Sequence, residues 1–194
     1  MEKKQDRIEQ QPSEALTIIP KQIFEALLTL HEKLDNKNIE WAVGGDLSET
    51  LRVVQVEPTT VEIVTNKENL EKAFFALQDY NPTDIESKVQ KLDRNAVVSG
   101  VEHPAYMRSH CFETSIQGVP VKILSDIQYK INDWDWGDIL QFVPEYTYIV
   151  NKKTALVPIS IKYDLYQGLG WTDRMEKIKR VFEMQERQRL LNPR

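Results

Sequence analysis

Trp41-Ala42-Val43-Gly44-Gly45-Asp46-Leu47 is the stretch on which the fold turns. Three apolar residues in a row predict a short buried strand. The glycine pair that follows has no Cβ, so the chain can turn sharply there and its backbone can come close to a neighbour. Asp46 is suited to the opening of a helix, where backbone N–H groups lack partners within the helix and a nearby carboxylate is favourable. The unit reads strand, tight turn, helix.

Upstream, Ile23, Leu27, Leu30 and Leu34 recur at spacings of four, three and four after Pro20, which puts them on one face of a helix ended by residues 35–38. Downstream, residues 60–65 are β-branched or alternating and predict a strand after the Pro58 turn. Thr65 and Glu68 have the spacing of a capping box. It would open a helix whose buried stripe is Leu70, Phe74 and Leu77 and which ends before Asn81-Pro82. Residues 84–102 show no clear periodicity. Gln117-Gly118 predicts a hairpin turn between a strand ending near Ile116 and another over 119–124. A second hairpin is expected within 146–157, around Asn151-Lys152-Lys153, and the rest reads as helical. There Trp171, Met175, Ile178 and Phe182 form a stripe, with Thr172 as its cap.

These elements predict an α+β (α/β) protein: a mixed β-sheet flanked by helices, with a C-terminal helical segment. Residues 1–14 are charged and glutamine-rich without periodic apolar residues, which predicts a mobile N-terminal tail over 1–18; 19–150 form the core, and 151–194 add a hairpin and helices packed on it. A net charge of -5 argues against a protein that coats nucleic acid through its overall field. Cys111 is the single cysteine, so no internal disulfide and no thiolate zinc cage can form. No stretch has the length of a membrane span, so a cytoplasmic protein without a membrane partner is expected.

Three segments taken in order resemble the nucleotidyltransferase superfamily, the DNA polymerase beta-like fold. They are the 41–47 turn, the strand Thr60-Val61-Glu62-Ile63-Val64, and the strand Val119-Pro120-Val121-Lys122-Ile123-Leu124. The resemblance covers residues 23–183, and the helical tail is similar to that of small bacterial and archaeal members, including toxin-associated ones. It implies a Gly-Gly turn leading to a strand that carries two acids one residue apart, with a third acid on a neighbouring strand. Those acids hold two magnesium ions that bridge a triphosphate and activate a hydroxyl, chemistry that calls for hard carboxylate oxygens. Gly44, Gly45 and Asp46 are the nucleotide-phosphate positions that the resemblance implies.

Aligned through Val61 and Ile63, and through Val121 and Ile123, the three acid positions fall on Thr60, Glu62 and Lys122. Their charges sum to zero, where a full triad would bring three negative charges to two dications. These former metal positions therefore predict a degenerate site with no cofactor. Lys122 is expected to act as a cross-strand partner of Glu62, a pairing worth about 0.2–1 kcal/mol on a sheet face. Three readings follow. In the first, the protein binds a nucleotide, RNA or a protein partner without nucleotidyl transfer. The second is an active, magnesium-dependent transferase with a site rebuilt from Asp46, Glu62 and Glu57 or Asp173. The third is an antitoxin-like or structural scaffold.

Other conspicuous residues carry simpler readings. Asp133, Asp135 and Asp138 beside Trp134 and Trp136 lack the spacing of a calcium loop and predict a surface turn. His110 and Cys111 are neighbours on a strand and would face opposite ways, which makes them a poor chelate. His103, before Pro104, reads as a loop residue. Lys177, Lys179, Arg180, Arg187 and Arg189 interleave with Glu176, Glu183 and Glu186, the pattern of a solvated helix face.

Overall fold

The computed structural model describes residues 19–191 apart from residue 53; the tail expected over 1–18 lies outside them. The chain forms α1 (Lys21–Leu34), β1 (Ala42–Val43), α2 (Gly45–Thr50), β2 (Val61–Val64), α3 (Lys67–Ala76) and β3 (Glu86–Lys91). Then follow β4 (Ala96–Val98), β5 (Val101–His103), β6 (Ala105–Ile116), β7 (Val119–Ile131), β8 (Glu145–Ile149), β9 (Lys152–Leu156), α4 (Ile159–Leu169) and α5 (Thr172–Leu191). The sheet is mixed and seven-stranded, in the order β3-β6-β7-β2-β1-β9-β8, and β4 and β5 make a separate hairpin. The expected α+β architecture is present: a central mixed sheet, flanking helices and a C-terminal helical pair.

The core lies between the sheet and the pair α1 and α3. Ile23, Leu27, Leu30 and Leu34 of α1 are all buried, as their spacing dictates, and pack with Val61, Ile63, Val121 and Ile123 from the sheet. Because side chains alternate across a strand, burying those four residues turns Glu62 and Lys122 to the opposite face. That face carries the cleft described below. Val54, Ile159, Tyr166, Ile178 and Val181 form a second cluster that seats α4 and α5. No helix among the described residues is long and apolar enough to cross a membrane.

Several local expectations shift. α3 is capped by Asn66, whose side chain accepts from the Asn69 N–H at 2.8 Å; Thr65 instead donates to the Glu40 carbonyl, and Glu68 binds Lys72. Asn66 plays the part expected of Thr65 one residue further on, so the N–H that is capped is that of Asn69 and not that of Glu68. Thr172 is the first helical residue of α5 rather than a cap, and the buried stripe there runs through Ile178 and Val181 while Phe182 is exposed. His103 ends β5, because Ser99 and Gly100, both with positive φ, close the β4–β5 hairpin. The 151-centred hairpin turns at Val150 and Asn151, also both with positive φ.

Candidate functional site

β2 and β7 run parallel with Val61 opposite Val121, Glu62 opposite Lys122 and Ile63 opposite Ile123. The alignment through apolar neighbours is thus also the spatial register. On the other side of β2, the Gly44 N–H donates to the Glu62 carbonyl at 2.8 Å, which ties the glycine turn to the strand. Gly45 has φ +52°, and a Cβ there would lie 2.6 Å from Glu62 Oε2. Only glycine fits that conformation and that close approach without displacing the carboxylate.

Among the described residues the Glu62 carboxylate receives no hydrogen bond and makes no ion pair. Burial raises its pKa; Lys162 and Lys122 pull it back down, and Asp46 and Asp93 push it further up. Glu62 and Lys122 are cross-strand partners, as expected from sequence, but no contact within 4.0 Å joins their charges. Lys122 is also opposite Glu113 on β6, whose carboxylate is bound by Lys88 at 2.8 Å. An ammonium flanked by two acids on a sheet face has no reason to close on one of them.

Behind the glycine turn lies a network that sequence reading missed. Glu49 of α2 is fully buried. Its carboxylate accepts from Lys162 Nζ at 2.8 Å, from the Tyr166 hydroxyl and, at 3.4 Å, from Arg174 Nη1. Lys162 also donates to the Gly45 carbonyl, and Arg174 reaches Asp46 at 3.0 Å. Burial and the adjoining Glu49 charge hold the Tyr166 hydroxyl far above the usual phenol range. For Arg174, burial works against the charge, but Asp46, Tyr166 and Glu49 outweigh it and raise the pKa. The available signal was Lys162 and Tyr166 one turn apart on α4; their carboxylate partner is more than a hundred residues away.

The cleft on this face encloses about 400 Å³ between the sheet, the glycine turn, the segment 90–94 and the C-terminal helices. Lys91, Arg94, Lys122, Lys162 and Arg174 line it, against Asp46, Glu62 and Asp93. Glu49 holds Lys162 and Arg174 from behind, and Asp173 holds Arg94 through two hydrogen bonds. Lys91 and Lys122 have no ion-pair partner among the described residues. Thr60 lines the same cleft, so the structure brings together Gly44, Gly45, Asp46, Thr60, Glu62 and Lys122. Glu57 and Asp173, the acids considered for a rebuilt site, do not line it.

A structure from Thermotoga maritima, described as a candidate nucleotidyltransferase, matches with a TM-score of 0.60 and 21% identity, over 86% of this chain and 96% of the other. The chain shares the fold of that structure. Two further structures are fainter matches. The enzyme ANT(2")-Ia with adenylyl-2"-tobramycin has a TM-score of 0.49, 9% identity and coverage of 81% of this chain and 86% of that one. Lincomycin-bound LnuA, a lincosamide antibiotic adenylyltransferase, has a TM-score of 0.46, 11% identity and coverage of 84% and 98%. No protein-family model matches the chain, and no curated protein does.

The magnesium pair that a nucleotidyltransferase fold implies does not fit the residues present. Among the described residues no group of three or more His, Cys, Asp or Glu side chains is placed to hold a metal. Asp46, which follows the turn in sequence, already serves Arg174, and Lys122 stands in register beside Glu62. The remaining conspicuous residues lie elsewhere. His110 approaches Asp126 at 3.3 Å, Cys111 is buried, and Trp136 takes Arg108 and Lys130 over its ring.

Proposed function

We propose that this protein is a nucleotide-binding module on a nucleotidyltransferase fold that holds a nucleotide's phosphates in the Gly44–Gly45 cleft and does not transfer the nucleotidyl group. The observation that carries this reading is the register of Glu62 with Lys122: an ammonium stands where the resemblance calls for a metal-binding carboxylate. A fixed ammonium supplies part of the positive charge that a triphosphate needs, without demanding a dication. Lys91, also unpaired among the described residues, supplies more. The N–H groups of Gly45 and Asp46 lie in the first turn of α2, where they have no helix partner and can donate to phosphate oxygens. Gly44 does not take part, because its N–H is committed to Glu62.

The test is calorimetric titration of ATP and GTP into the purified protein, in EDTA and in magnesium, beside a label-transfer assay. Saturable binding in EDTA, weakened about tenfold by Lys122→Ala, supports the reading. Transfer of a nucleotidyl label to the protein itself, a tRNA pool or a cell extract, lost in Glu62→Ala, refutes it. So does the absence of nucleotide binding under both conditions, which would leave the fold as a scaffold.

A further inference from the structure

We propose that a second cleft, next to the first, is a binding site for a small organic amine with an apolar body. This cleft holds about 620 Å³, within the range of small-molecule sites, and shares Val64 and Leu140 with the first. It lies at the far end of the same sheet face, where β1 begins and β2 ends, and is roofed by the segment before β8. Three aromatic side chains from different parts of the chain converge on it: Trp41 before β1, Phe142 in the roof and Tyr146 on β8. Such a set offers partly exposed apolar surface with electron-rich faces, which attract a cation more than a neutral group.

The charges select the same class. Asp35, Glu40 and Asp126 line the cleft against the single cation Lys153. Asp35 has partners, accepting from the Trp41 indole at 3.1 Å and meeting His31 at 2.8 Å, while Asp126 comes within 3.3 Å of His110 without a hydrogen bond between them. The Glu40 side chain has no partner among the described residues, so it is the counter-ion open to an incoming ammonium. Lys153 shows that an ammonium is accommodated there, since its Nζ lies 4.0 Å from the centre of the Tyr146 ring. The chain's own lysine therefore occupies the place that the ligand's cation would take, and it competes with that ligand. This site stands independently of the nucleotide reading, because none of its charged or aromatic residues lines the first cleft.

The experiment uses phenethylamine as probe, with 2-phenylethanol and phenylacetate as its neutral and anionic counterparts, followed by calorimetry and by ¹H–¹⁵N spectra that include the Trp41 indole. The expected result is saturable amine binding that shifts the Trp41 indole signal, with the alcohol and the acid at least tenfold weaker. Glu40→Gln is expected to weaken the amine severalfold, and Lys153→Met to tighten it severalfold by removing the competing cation. Both positions are exposed, so the variants keep the fold. Equal affinity for amine and alcohol overturns the proposal. So does an amine that leaves the Trp41 signal unmoved at saturation, or a Lys153→Met variant that binds no better than wild type.

Discussion

Glu49 and Glu62 lie on either side of the Gly44–Gly45 turn, and their surroundings are opposite. Glu49 is sealed from solvent and meets a lysine, a tyrosine and an arginine, so its charge is matched and its oxygens are satisfied. Glu62 opens onto the cleft, receives no hydrogen bond among the described residues and has its pKa raised by burial. A buried carboxylate with every partner in place holds parts together; one left without partners beside a cavity is held ready for something else. The same short stretch of backbone separates an anchor from a site.

Removing the anchor should have the largest effect. Glu49→Gln leaves the buried Lys162 charge without its counter-charge and takes from Arg174 one of its two carboxylates, and breaking a buried pair in this way costs about 3–5 kcal/mol. Urea unfolding reads it directly, and a loss below about 1 kcal/mol would mean that α4 and α5 do not depend on this network. The turn comes next. Gly45→Ala forces an alanine to φ +52°, a conformation that costs about 1–2 kcal/mol, and pushes on the Glu62 carboxylate. Its unfolding midpoint should fall by a corresponding amount, and nucleotide affinity should fall with it. An alanine variant that binds ATP as wild type does would detach the turn from the site.

The smallest effect reads Glu62 by pH. Because the folded pKa of Glu62 is raised above its ordinary value of 4.5, the native state binds the proton more tightly than the unfolded chain. Its contribution to stability is therefore full below pH 4.5 and is lost as the pH rises through the raised value. Glu62→Gln removes that loss. Thermal melts should show the variant gaining on wild type as the pH climbs from the acid side towards neutrality. A gap that is constant across that range would show that Glu62 titrates normally.

The central sheet was legible because its signal is local. Val61, Ile63, Val121 and Ile123 alternate with polar residues, and burying them fixes both the face and the register of Glu62 and Lys122. The Gln117-Gly118 turn was legible for the same reason. By contrast, β3 is exposed along most of its length, so no alternation marks it, and β4 and β5 are only three residues each. The Asn66 cap lay one residue beyond the Thr65 reading, a shift that spacing alone does not resolve. The Glu49 network joins residues more than a hundred positions apart, and pattern within a segment carries no record of such partners. The second cleft draws on separate segments and was illegible for that reason.

The pairing of β1 with β9 has a consequence for how the molecule is made. Val43 sits opposite Leu156, and the Val157 N–H closes on the Val43 carbonyl at 2.9 Å. One flank of β1 is thus completed by a strand translated more than a hundred residues later. A nascent chain can pair β1 with β2 soon after both emerge, yet it must carry an uncovered strand edge until residue 157 leaves the ribosome, and an uncovered edge is where chains stick to one another.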